Sequence, residues 1–93
     1  KDLLKVCKPR LLILTGVFVS RPEMGVDVFI VGRLAKDKLK TVIRRLEKGL
    51  DPEINFTLME PSEFRYRREI ADIFLYSILE GERIVVIDEI GIN

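Results

Sequence analysis

Apolar residues are grouped in short runs along the chain, and the period of each run predicts its secondary structure. The runs at residues 10–19 and 25–32 are apolar at nearly every position, as in strands buried on both faces of a sheet. Residues 20–25 lie between them, are rich in turn formers and predict a hairpin-like connection. Gly16 falls inside the first run, where a glycine indicates a bulge or a close backbone approach.

Two further strands are predicted in the second half of the chain. Residues 53–59 alternate apolar and polar with period two, which predicts a strand whose core side is Ile54, Phe56 and Leu58. In that pattern Met59 belongs to the opposite, more polar face. Residues 83–87 form a β-branched run that predicts the last strand.

Two stretches have helical periodicity. Residues 36–50 place aliphatic side chains on one face and lysines and arginines on the other. A second helix is predicted from Pro61 to about Leu79, in one piece or two, with Gly81 as its C′ glycine. Its predicted buried stripe is Phe64, Ile70, Ile73, Phe74, Ser77 and Ile78, widened by Ala71, Leu75 and Leu79.

The element order is therefore β-β-α-β-α-β within a single domain over residues 1–93. This order predicts an α/β (α+β) fold, a mixed β-sheet of about four strands with helices packed on it. Residues 2–8 have the pattern of the last turns of a helix arriving from upstream, which Pro9 ends. The chain starts at Lys1 without a methionine, which suggests a fragment of a longer protein.

Composition excludes several classes of chemistry. There is no histidine, so Ser-His and Cys-His catalysis and His-ligated zinc are excluded, and a metal would be an oxygen-bound one such as Mg²⁺. The single cysteine excludes an internal disulfide and favours a reduced, cytoplasmic location. A net charge of +1 gives no strong attraction to nucleic acid, and no apolar run has the length of a membrane span.

Asp27 is the one carboxylate within the apolar run at residues 25–32. A charge in such a strand is costly unless something uses or pairs it. Two interpretations follow from the pattern. In the first, Asp27 caps the start of the strand near water; in the second, it is the remnant of a metal-binding pair.

Arg65, Arg67 and Arg68 form a basic cluster at the start of the second predicted helix. Three guanidinium groups beside a tyrosine are suited to binding phosphates. The alternative is a solvated helix surface on which the arginines form ion pairs across a turn. The acids placed for such pairs are Glu63, Glu69 and Asp72.

The segments LTGVF at residues 14–18, VDVFIVG at 26–32 and INFTLMEPSEFRYR at 54–67 also carry a resemblance. Together with LYSILEGERIVVI at residues 75–87, they resemble the nucleotidyltransferase fold of DNA polymerase beta-like proteins. More narrowly, they resemble the domains of this kind that are attached to winged-helix transcriptional regulators of prokaryotes. The resemblance extends over residues 10–88.

The resemblance implies an active site from which most of the catalytic groups are missing. Active members have a Gly-Ser pair after the first strand and three carboxylates that hold Mg²⁺ and a nucleoside triphosphate. Gly16 keeps the glycine, but Val17 occupies the serine position. Asp27 matches the second carboxylate, whereas Gly25 and Asn55 replace the first and the third.

By this resemblance the chain is a catalytically degenerate regulatory, binding or dimerisation module of a transcriptional regulator. Its partners would be a second copy or an upstream DNA-binding domain, with a nucleotide bound near Gly16, Asp27 and Asn55. The alternative is an active Mg²⁺-dependent transferase that moves a nucleoside monophosphate to a protein, RNA or small acceptor. In that case Asp27 is the metal ligand, with Glu53 or Glu23 brought near it.

A third interpretation is direct DNA binding through the basic face of residues 36–50. The near-neutral net charge disfavours it.

Overall fold

The computed structural model describes residues 9–33, 41, 44 and 54–92. Within them lie four strands, two α-helices and two short 3-10 helices. The strands are β1 (Leu11–Leu14), β2 (Val28–Val31), β3 (Phe56–Met59) and β4 (Ile84–Asp88); the helices are α1 (Pro61–Glu69) and α2 (Ile73–Glu80), with 3-10 helices at Gly16–Val19 and Pro22–Met24. The helices predicted at residues 2–8 and 36–50 lie outside the described residues, except that Thr41 and Arg44 are helical and exposed.

The four strands form one mixed sheet in the order β3-β2-β1-β4. β1 is antiparallel to both β2 and β4, whereas β2 and β3 are parallel. All four residues of β2 are buried, which confirms the prediction of an interior strand covered on both faces. The domain is thus a small mixed α+β fold.

β1 is shorter than the predicted run at residues 10–19. The chain leaves the sheet at Gly16, whose φ of +56° is a left-handed conformation, and continues as a 3-10 helix. The sequence stays apolar through this turn, and the structure shows why: Gly16 is buried and Val17 is partly buried although neither is in a strand. β1 and β2 pair antiparallel, as the predicted hairpin requires, but the connection between them contains both 3-10 helices.

Apolar side chains fill both faces of the sheet. α1 and α2 cover one face, where Phe29 and Phe64 pack with their ring centroids 6.4 Å apart. Ile54 is buried on the other face, against which Phe56 and Leu58 pack, as the alternation predicted. Met59 lies on the face opposite to Ile54, Phe56 and Leu58, as the alternation predicted, but this second face is also buried. Met59 is buried on the helix-covered side, because a sheet that is covered on both faces needs apolar residues on both.

The second predicted helix is in two pieces, and only part of its predicted stripe is buried. Ile70, Ala71 and Asp72 separate α1 from α2, and Ala71 has a φ of +54°. Asp72 is the N-cap of α2, and its carboxylate accepts a hydrogen bond from Leu75 N. The buried residues of the two helices are Phe64, Leu75, Ile78 and Leu79, whereas the predicted Ile70, Ile73, Phe74 and Ser77 are exposed.

Gly81 ends α2, but not as the predicted left-handed C′ glycine. Its backbone is extended, with φ −85° and ψ −175°. The glycine is needed for space, because a Cβ there would lie 2.7 Å from the carbonyl oxygen of Ser77.

A β-bulge in β4 lets Val85 and Ile87, two residues apart, pack on opposite faces of the sheet. Leu12 pairs with Ile87 and Ile13 with Val85, so that Val86 is the extra residue. Val85 packs against the helix-covered cluster and Ile87 against the opposite one.

Candidate functional site

Asp27 immediately precedes β2 and is 3% exposed. Both oxygens of its carboxylate accept hydrogen bonds from the backbone. Val17 N donates to Oδ1 and Asn55 N donates to Oδ2, each at 2.9 Å. Two N–H dipoles therefore stabilise this buried charge.

The backbone of Asp27 is tied to the same two neighbouring segments. Its N–H donates to Asn55 O at 2.7 Å, and its carbonyl accepts from Thr15 N at 2.9 Å. Asp27 thus joins the end of β1, the first 3-10 helix and the residue before β3. It sits at the start of β2, as the first interpretation had it, but its partners are backbone amides rather than water.

Gly16 makes room for the Asp27 carboxylate. A Cβ on Gly16 would lie 2.5 Å from Val26 O and closer still to Asp27 Oδ1. The predicted close backbone approach is therefore confirmed, and its partner is the acid itself.

The structure brings Gly16, Asp27 and Asn55 together, although Asn55 contributes its backbone N–H to the contact rather than its side-chain amide. Over residues 9–33, 41, 44 and 54–92, no group of three or more His, Cys, Asp or Glu side chains is placed to hold a metal ion. Glu53 lies outside the described residues. Glu23 is exposed on the second 3-10 helix, 3.8 Å from Arg21.

An exposed ion pair borders this end of the sheet. Arg21 Nε donates to Glu82 Oε1 at 2.8 Å, and the hydrogen bond and charge of Glu82 raise the pKa of Arg21. The Thr15 hydroxyl donates to Glu82 O at 3.1 Å. The Glu82 segment leading into β4 is thereby held against the end of β1.

The structure separates the three arginines of the predicted phosphate cluster. Arg67 pairs with Glu63 one turn earlier, at 2.8 Å, and with Asp72 at 3.4 Å, which confirms the ion-pair interpretation for this residue. The Arg68 guanidinium lies 5.6 Å from the centre of the Phe64 ring, a cation–π distance. Arg65 is exposed and faces a different environment.

Arg65 lines a cleft of about 310 Å³ at the opposite end of the sheet from Asp27. The other arginines there are Arg10, just before β1, and Arg33, shortly after β2. Glu60, Pro61 and Ser62 complete the lining. A hollow of about 220 Å³ adjoins the cleft and is lined by Arg10, Pro61, Phe64, Arg65 and Ile90.

Sequence reasoning missed Arg10 and Arg33. A signal for them was present. Arg10 begins the first predicted strand and Arg33 follows the second, and a hairpin brings the start of its first strand beside the end of its second. The pairing of Leu11 with Val31 places the two arginines at the same end of the sheet.

No family model, curated protein or solved structure matched this chain. In the part of the chain that the structure describes, none of the helices has the length and apolar character needed to cross a bilayer.

Proposed function

We propose that this domain is a catalytically inactive nucleotidyltransferase-like module that binds a partner within a transcriptional regulator. The observation that carries this proposal is the Asp27 carboxylate, both oxygens of which are engaged by backbone N–H groups. The identification with the family remains a proposal. It rests on the sequence resemblance and is compatible with a mixed sheet that has an antiparallel β1–β2 pair and a parallel β2–β3 pair.

The chemistry of nucleotidyl transfer requires more than this site offers. Two Mg²⁺ ions clamp the entering and leaving oxygens, so several carboxylates must present free lone pairs toward them. Asp27 is buried, and its oxygens point at Val17 N and Asn55 N. Asp27 therefore offers at most the remaining lone pairs of one buried carboxylate, and no group of three or more acids is placed to hold a metal ion among the residues that the structure describes.

A transferase assay tests the loss of activity. The protein is incubated with labelled nucleoside triphosphates, Mg²⁺ and candidate protein, RNA and small-molecule acceptors, and we expect no transfer of label. Label transfer that Asp27→Asn abolishes would overturn the proposal in favour of an active enzyme, and its loss in Glu23→Gln as well would place Glu23 at the metal.

The binding role is supported by the exposed apolar surface of α2. Ile73 is 86% exposed, and Phe74 beside it is 37% exposed. A shallow groove of about 770 Å³ runs along this helix past Ala71, Ile73, Tyr76 and Ser77. Large apolar side chains left in water favour association, and the occupant proposed here is a second copy of the domain.

Sedimentation velocity tests the self-association. We expect a dimer for the wild type, a monomer for Ile73→Lys, and a dimer for the control Val86→Lys, which places the same charge at an exposed residue of β4. A monomeric wild type would contradict the dimer. Loss of the dimer in the control alone would instead place the interface on β4.

A further inference from the structure

We propose that the cleft lined by Arg10, Arg33 and Arg65 binds the phosphate group of a small molecule. The cleft lies at the end of the sheet opposite to Asp27, so the inference does not depend on the function proposed above. It concerns a second site with its own chemistry.

The charge balance of the cleft carries the inference. Three arginines and a single acid, Glu60, are among the residues that line it. Among the residues that the structure describes, none of these three arginines forms an ion pair, whereas Arg21 and Arg67 both do. The three come from segments far apart in sequence and meet around one concave surface. Such convergence of arginines that pair with no described acid suits the binding of an anion.

The topology of the sheet places the cleft where ligands commonly bind. β2 and β3 are parallel, and Arg33 and Pro61 follow their carboxyl ends. In sheets with parallel strands, ligands bind in the crevice outside these ends. The Asp27 site lies at the amino ends of the same two strands.

The start of α1 adds to the attraction for an anion but does not carry the proposal. Glu60, its N-cap residue, makes no side-chain capping bond, and Pro61 has no N–H. Phe64 N is bonded to Glu60 O, so the N–H groups of Ser62 and Glu63 are those directed out of the first turn. The positive end of the helix dipole points the same way.

The geometry favours phosphate over carboxylate as the anion. A terminal phosphate has three peripheral oxygens, enough for one contact with each guanidinium, whereas a carboxylate has two. A cleft of about 310 Å³ is at the small end of ligand sites, which suits a phosphate-bearing small molecule. The adjoining hollow, with Phe64 and Ile90 in its wall, offers an apolar surface to the organic part of a phosphate ester.

Calorimetric titration of the full chain at low ionic strength tests the proposal, with inorganic phosphate, pyrophosphate and phenyl phosphate as probes and benzoate, which has one carboxylate, as the comparison. We expect Arg10→Gln, Arg33→Gln and Arg65→Gln each to weaken binding about tenfold, since each removes a charge-assisted contact. Arg44→Gln is the matched control: it removes the same charge from an exposed residue outside the cleft, and we expect the affinity to stay unchanged.

The choice of probe distinguishes a phosphate ester from free phosphate as the ligand. Tighter binding of phenyl phosphate than of inorganic phosphate would identify an ester as the ligand, and the reverse order a free phosphate; either result supports the site. Backbone amide shifts in an NMR titration should move at Ser62 and Glu63 and stay fixed at Val17 and Asn55.

Three results would overturn the proposal. The first is the absence of binding for all three phosphate probes at millimolar concentration. The second is equal weakening by Arg33→Gln and Arg44→Gln. The third is benzoate binding as tight as that of phenyl phosphate. The melting temperature of each variant verifies that it is folded, so that lost binding reports on the cleft.

Discussion

The two ends of the sheet handle charge in opposite ways. At one end, the buried Asp27 has both carboxylate oxygens bonded to backbone N–H groups. At the other, Arg10, Arg33 and Arg65 surround an open cleft without ion-pair partners among the described residues. The charge that the sequence makes most conspicuous thus holds the fold, whereas the arginines at the other end form the anion site proposed above.

The largest expected effect comes from Gly16→Ala at the Asp27 end. Gly16 has a positive φ, and a Cβ there would collide with Val26 O and the Asp27 carboxylate. We expect a loss of about 3 kcal/mol or more in the free energy of unfolding, measured by urea denaturation.

Gly25→Ala is the matched control for that substitution. Gly25 also has a positive φ, of +77°, but a Cβ added there would meet no other atom within 4 Å, so only the backbone cost of about 1 kcal/mol is expected. Equal losses for the two variants would contradict a close fit between Gly16 and the carboxylate.

Asp27→Asn should have the next largest effect. Asparagine has one acceptor oxygen, so one of the two N–H donors, Val17 or Asn55, would lose its partner and face an NH₂ group instead. We expect a loss of about 2–3 kcal/mol in the free energy of unfolding.

Glu23→Gln, an exposed change nearby, should alter stability by less than about 0.5 kcal/mol. An increase in stability for Asp27→Asn would mean that the carboxylate is strained for function, and the contrast between the two ends would fail.

Glu82→Gln tests the exposed border of the Asp27 end. This change removes the charge that pairs with Arg21, and exposed ion pairs contribute little to stability because water screens them. We expect a small loss that shrinks when salt is added. A loss as large as that of Asp27→Asn would show that the surface pair, and not the buried acid, holds this end together.

The smallest effect, with the opposite sign, is expected at the arginine end. Neutralising Arg65 relieves repulsion from Arg10 and Arg33, so Arg65→Gln should raise stability by a few tenths of a kcal/mol, about the size of other like-charge effects. Arg67→Gln, on the same helix, should lower it, because Arg67 is paired with Glu63 and Asp72. Urea denaturation of both variants at low salt gives the comparison. A loss for Arg65→Gln as large as for Arg67→Gln would indicate that Arg65 has a structural partner.

The sequence predicted the features that depend on local composition. β2 is recognisable as an interior strand because every residue in it is apolar, and Asp27 is conspicuous because a charge beside such a strand is costly. The end of β1 was not predictable from periodicity, since the apolar run continues past Gly16 into the 3-10 helix. The predicted buried stripe of α2 was right for Leu75, Ile78 and Leu79 but also included Ile73, Phe74 and Ser77, which are exposed.

The candidate sites show the same limit. Gly16, Asp27 and Asn55 could be grouped by the resemblance, but that the contact of Asn55 would be its backbone N–H depends on the parallel pairing of β2 with β3. Arg10 and Arg33 are far apart in the chain and become neighbours only when Leu11 pairs with Val31. Side chains that meet through strand register have no signature in a local window.

Amide hydrogen exchange at Val17 and Asn55 is the most direct test of Asp27 as a structural link. We predict strong protection of both amides in the wild type, no change when Mg²⁺ is added, and loss of protection at one of them or both in Asp27→Asn. Rapid exchange in the wild type, or release of both amides when Mg²⁺ binds, would contradict the account.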